Sequence, residues 1–137
     1  MIKLLPWLTL KMSPLNIETL DLEHIPKKAG VYVMLSTRTE YTYPWSESKG
    51  KGKSRVYYIG QSKNLRERIG RHKSNLEGTI SQHEPGTVYW SRYEYGVHHG
   101  CNVVWVISKD KDPKDTERKL LKDFALYYGA KPVANGG

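Results

Sequence analysis

Two short apolar runs constrain the fold more than any other feature of the chain. Gly30 to Leu35 (GVYVML) and Val56 to Ile59 (VYYI) are too brief for ordinary helices and rich in β-branched and aromatic residues, so both read as strands. Residues 36 to 55 between them mix Ser, Thr, Gly, Lys and Pro without a helical or strand period. The simplest arrangement is an antiparallel hairpin with a long connection. Ser46 to Arg55 (SESKGKGKSR) reads as a flexible basic loop by composition. Pairing of the two runs would put Tyr32 and Tyr58 in one sheet.

The remaining elements follow from caps and periodicity. Asn16 to Ile25 is expected to form a short helix with Leu20, Leu22 and Ile25 inward, ended by Pro26. Gly60 is expected to break the second strand, with Ser62 capping a helix from about Lys63. On that helix Leu65, Ile69, His72 and Leu76 recur at helical spacing, and Asn75 and Gly78 suggest its end. Residues 79 to 86 read as a loop and Thr87 to Tyr95 (TVYWSRYEY) as a strand. His98 to Gly100 form a turn before a strand at Asn102 to Ile107, expected to be buried on both faces. Asp112 at N-cap and Pro113 at N1 open a last helix, which runs to about Tyr128 and stops at Gly129. The predicted order is strand, strand, helix, strand, strand, helix. That order implies an α+β fold, a small mainly antiparallel β-sheet flanked by α-helices.

Charge bears on the partner. Lys and Arg total 22 against 14 Asp and Glu, a formal net charge of +8 on 137 residues. Such an excess favours a polyanion, most often nucleic acid. Cys101 is the single cysteine, which excludes a disulfide framework and a cysteine-based zinc site and points to a buried structural thiol in a reducing, cytoplasmic setting. Met1 to Leu10 is apolar but short, interrupted by Pro6 and without a cleavage site, so no signal peptide is expected. No stretch has the length of a membrane span.

Two helices carry the chemistry. On the last one, Leu121, Phe124 and Tyr128 form the inward stripe, and one turn back from Leu121 stands Glu117. A carboxylate on a buried face needs a partner, a proton or a metal. The alternative is a partly solvated Glu favoured by the helix dipole. On the earlier helix Arg68 and His72 are four apart and share a face. The alternative there is an exposed Arg beside a core His. Arg66, Arg71 and Lys73 are expected to be solvated and available to phosphates.

These residues resemble a family. Gly30-Val31-Tyr32 and Tyr58-Ile59-Gly60 are similar to the two halves of the GIY-YIG motif. Lys63-Asn64-Leu65-Arg66-Glu67-Arg68 resembles the family's basic helix, whose last Arg is catalytic, and His72 stands one turn later where members have His or Tyr. Glu117 in Thr116-Glu117-Arg118 resembles the metal-binding Glu. Asn135, after Lys131-Pro132, resembles the Asn that closes the domain, and Ile25-Pro26 the usual lead-in. Three departures stand out, one of them a long segment between the first helix and Glu117. The connection between the tyrosines is longer than in compact members, and Gln61 occupies a position where some members carry Lys.

The resemblance implies a lead-in at residues 1–24 and a GIY-YIG nuclease domain at 25–137 with a basic insertion at about 36–55. It implies a divalent-metal-dependent endonuclease acting on double-stranded DNA, of restriction type or from a phage or mobile element. Its site would be Tyr32, Tyr58, Arg68, His72, Glu117 and Asn135. Glu117 would be the only protein ligand to Mg²⁺, with Mn²⁺ able to substitute, since Mg²⁺ keeps several waters. Arg68 would hold the phosphate, Tyr32 or Tyr58 would position or deprotonate the water, and Asn135 would order the C-terminal segment. Phosphate contacts are expected from Lys49, Lys51, Lys53 and Arg55 in the insertion and from Lys63, Arg66, Arg71 and Lys73 near the helix. Oligomeric state is open, a dimer included. The rival readings are a catalytically inactive binding module and an RNA-directed one, whose aromatics would stack on bases. Neither needs an inward Glu117.

Overall fold

The computed structural model describes residues 2–5, 8–44, 52–82 and 88–135. Eight strands and three α-helices run in the order β1 (Ile2–Leu5), β2 (Leu8–Leu10), β3 (Leu15–Asn16), β4 (Gly30–Leu35), β5 (Tyr41–Tyr43), β6 (Gly52–Ser54), β7 (Val56–Ser62), α1 (Leu65–Gln82), α2 (Val88–His99), β8 (Asn102–Ile107) and α3 (Pro113–Tyr128). The central sheet has strand order β3-β8-β4-β7, every pair antiparallel. Two small hairpins, β1-β2 and β5-β6, stand outside it. The expected α+β class holds, and so does the expected pairing of the two apolar runs.

β4 is the centre of the molecule. All six of its residues are buried, because alternate side chains enter two cores. Tyr32 and Met34 join Leu65, Ile69 and Leu76 of α1, together with Ile17, Leu20 and Ile25 of the N-terminal segment. Val31, Val33 and Leu35 join Val56, Ile59 and Val104 with Phe124 and Tyr128 of α3. A strand covered on both faces reads as a continuous apolar run, which is how GVYVML looks.

Several expectations need correction. Asn16 to Ile25 is not an α-helix. It contains the end of β3, a turn and a short 3-10 helix at Leu22–His24. The Asn16 side chain accepts from the Glu18 amide and Asp21 from Glu23, local bonds that compete with a helix. Leu20 and Ile25 are buried as expected. Gly60 does not break its strand, for β7 continues to Ser62. Helix α1 begins at Leu65, two residues late, with the Asn64 side chain accepting from the Glu67 amide as N-cap. It then runs past Gly78 to Gln82. Residues 79–82 are therefore helical rather than loop, and 83–86 lie outside the described residues.

The predicted strand Thr87 to Tyr95 is the largest miss. Thr87 lies outside the described residues, and Val88–His99 is helix α2. Its aromatic content favours a pleated, half-buried surface only if a neighbouring strand supplies one. Here Tyr95 and His99, one helical turn apart, instead close on Tyr41 with ring centroids 5.5 and 5.6 Å away. The order is thus strand, strand, helix, helix, strand, helix among the larger elements. β8 is also less buried than expected. Val103 and Val104 are enclosed, while Val106 and Ile107 are exposed, because β3 covers only the Asn102 end. The caps of α3 match expectation: Asp112 accepts from the Lys114 amide, and Gly129 adopts φ 81°. Cys101 is buried and unoxidised, its thiol pushed up to about 12 by burial.

The insertion is not only a loop. Tyr43 of β5 is buried against Phe124 and Tyr128. Its hydroxyl donates to the Val56 carbonyl and accepts from the Val133 amide. Residues 45–51, including Lys49 and Lys51, lie outside the described residues.

Candidate active site

The site forms where β4 and β7 meet α1. Tyr32 pairs with Gly60 across the two strands. Its ring lies over that glycine so closely that a Cβ on Gly60 would overlap the phenol ring and hydroxyl. Gly30 answers a similar demand, since a Cβ there would overlap the Val106 carbonyl and the end of Leu65. Both motif glycines are thus spacing residues for close approach. The register shifts between Met34, opposite Tyr58, and Leu35, opposite Val56. Tyr57 is the extra residue, and both Tyr57 and Tyr58 turn to the α1 side. A bulge of this kind re-aims a side chain.

Three rings meet on that side. The Tyr32 hydroxyl and His72 Nε2 are 2.7 Å apart in a hydrogen bond. Tyr32 and Tyr58 have centroids 6.1 Å apart, and Tyr58 and His72 5.7 Å. Tyr32 and His72 are buried, and Tyr58 keeps 9% of its surface open. Burial pushes the Tyr32 phenol far above the usual tyrosine range. The neighbouring Tyr58 adds to this, and the charge of Arg68 pulls against it.

Arg68 stands on α1 one turn before His72. Glu117 lies on α3, beyond the edge of β7, and is half-buried. Its carboxyl is raised above the ordinary value by burial, with Arg68 and then Arg118 acting in the opposite direction. Beside Glu117 opens a cleft of about 420 Å³, lined by one face of α3 together with Gln61 and Lys131.

Asn135 closes the structure around these residues. Its side-chain amide donates to the Ile59 carbonyl and its oxygen accepts from the Ile59 amide, both at 2.9 Å. The Ala134 amide donates to the Tyr57 carbonyl. The C-terminal segment thereby holds the outer edge of β7 on both sides of Tyr58.

A family model of the GIY-YIG catalytic domain matches residues 28–126. The chain belongs to the GIY-YIG family. It therefore carries a nuclease domain, with nucleic acid as its substrate. No curated protein and no solved structure gives a significant match. Asn135 lies beyond the matched residues, so its place beside the GIY-YIG strands comes from the geometry above.

The cations proposed from sequence fall into different settings. Arg66 donates to the carbonyls of Ile25 and Glu23, and Lys73 to those of Ile17 and Glu18. Arg55 donates to the Thr37 carbonyl, and Arg71 pairs with Glu67 at 2.7 Å. Lys53 and Lys63 are exposed. Arg66 and Lys73 tie the N-terminal segment to α1, a duty that periodicity could not show because the partners are backbone carbonyls. Sequence reading missed the cationic face of α3, although the spacing of Lys114, Arg118 and Lys122 could have revealed it. Among the described residues, no helix is long and apolar enough to cross a membrane.

Proposed function

We propose that the protein is a divalent-cation-dependent endonuclease that hydrolyses phosphodiester bonds of double-stranded DNA. One observation carries this reading: Tyr32, Tyr58 and His72 meet at the two motif strands, and Glu117 lines an open cleft together with Gln61 of the second of those strands. A binding module needs cations but has no use for a half-buried carboxylate at such a cleft.

The donor set fits a hydrated cation. Among the described residues no three His, Cys, Asp or Glu converge as a cage. Glu117 is one carboxylate at an open cleft, with room for water and phosphate. Mg²⁺ accepts that arrangement, retaining most of its waters, and Mn²⁺ is the natural substitute. When bound, the ion would stabilise negative charge on the phosphate and the leaving oxygen.

The chain's own groups supply the rest. Arg68 offers a planar fork to the non-bridging oxygens. Tyr58, the more open phenol, orients the attacking water. Tyr32 is held as neutral phenol by burial and, bonded to His72, fixes the wall against which Tyr58 sits. Asn135 is a positioning residue, acting through the backbone of Ile59.

Plasmid nicking tests this directly. Supercoiled DNA should be nicked in Mg²⁺ and untouched in chelator. Glu117→Gln should abolish nicking while leaving DNA binding intact. Tyr58→Phe should slow it by about 10²-fold or more, whereas Tyr32→Phe should slow it less. Discrete fragments from a long substrate would indicate a restriction-type enzyme, and a smear a phage or mobile-element type. Nicking by Glu117→Gln at the parent's rate would sink the assignment.

A further inference from the structure

The +8 charge needs a surface, and the internal partners of α1 leave little of it there. Arg66 and Lys73 are spent on carbonyls of the N-terminal segment, and Arg71 on Glu67. Helix α3 is different. Lys114, Arg118 and Lys122 form one row and Glu117, Leu121 and Ala125 the adjacent one, each stepping by four residues on one helical face, and that face lines the cleft beside Glu117. Lys131 enters the same cleft from the C-terminal segment. Lys114, Lys122 and Lys131 are exposed, and none forms an ion pair among the described residues. Arg118 is held only by an exposed contact with Asp115.

We propose that this face of α3, with Lys131, is the track that grips the DNA backbone and leads one strand to Glu117. The inference rests on the nuclease reading and specifies how that site takes its substrate. From Lys114 to Lys122 the helix rises roughly 12 Å, which matches about three to four nucleotide steps of one strand at ~3.4 Å each. Lys114, Arg118 and Lys122, each about one helical turn from the next, can each meet a phosphate along that stretch. They contact no base edge, so the track positions the strand without reading sequence. The lone carboxylate sits inside the row of cations, where a phosphate held on either side would bring a scissile bond past it. Leu121 and Ala125 leave the floor low, so the backbone can lie close to the helix.

The test is the salt dependence of binding to a short random-sequence DNA duplex, measured in chelator so that nothing is cut. Each phosphate contact contributes about 0.9 to the slope of log affinity against log salt on duplex DNA. The triple variant Lys114→Gln, Lys122→Gln, Lys131→Gln should lower that slope by nearly three, with its melting temperature unchanged. Lys119→Gln is the control, on the same helix but paired with Asp123, and its slope should stay at the parent's value. A triple variant that keeps the parent slope while the parent still nicks plasmid would overturn the track and leave the nuclease reading standing. An equal loss in the Lys119 control would also overturn it, reducing the effect to net charge. A parent that neither binds nor nicks DNA would remove both proposals together.

Discussion

Glu117 shows how one side chain can set function against stability. Its carboxyl is raised by burial, so ionising it is harder in the folded protein than in the unfolded chain. By linkage, no cost arises below the ordinary Glu value of about 4.3, where both states are protonated. The cost grows as pH rises above that value and levels off once the raised folded value is passed. Glu117→Gln should therefore melt at a higher temperature than the parent at neutral pH, with the difference vanishing in acid. Added Mg²⁺ should raise the parent's melting temperature and leave the variant unmoved, because a ligand stabilises only the state that binds it. A variant no more stable than the parent at neutral pH would show that the carboxylate is adequately solvated. Part of this was visible in the sequence, since Glu117 stands one turn before Leu121 on the inward stripe. What the sequence could not show is the cleft that Glu117 shares with Gln61 and Lys131, since those residues lie on three separate segments.

At the level of elements, the sheet was legible where the chain is buried on both faces and illegible where it is not. GVYVML announces β4 because no exposed face interrupts its apolar run. The caps of α3 were readable because Asp112, Pro113 and Gly129 act locally. Helix α2 was not, because its aromatic residues read as strand formers, while in the fold Tyr95 and His99 pack on Tyr41. Gly60 was misread for a related reason. As a local signal it means a break, yet in place it is the gap that Tyr32 fills. Gly60→Ala should accordingly be costly in spite of alanine's usual advantage in ordered backbone. The expected loss is about 1–3 kcal/mol, the range for forcing atoms into a packed core, with nicking lost as Tyr32 is pushed from His72. Urea unfolding and plasmid nicking measure the two effects, and a variant with parental stability would refute the close packing.

Across the whole molecule, residues distant in sequence are tied together by single groups. Tyr43 joins the insertion to β7 and to the C-terminal segment through one hydroxyl. Tyr43→Phe would strand a carbonyl and an amide, and should lower stability by about 1–3 kcal/mol in urea unfolding. An unchanged midpoint would mean that water replaces the hydroxyl. The same C-terminal segment bonds the backbone of Tyr57 and Ile59 along the rim of the sheet. A bare rim there would present a ready template for a strand from another molecule. The bonds of Asn135 and Ala134 occupy that rim, leaving a neighbouring molecule fewer free backbone groups on which to extend a β-stack.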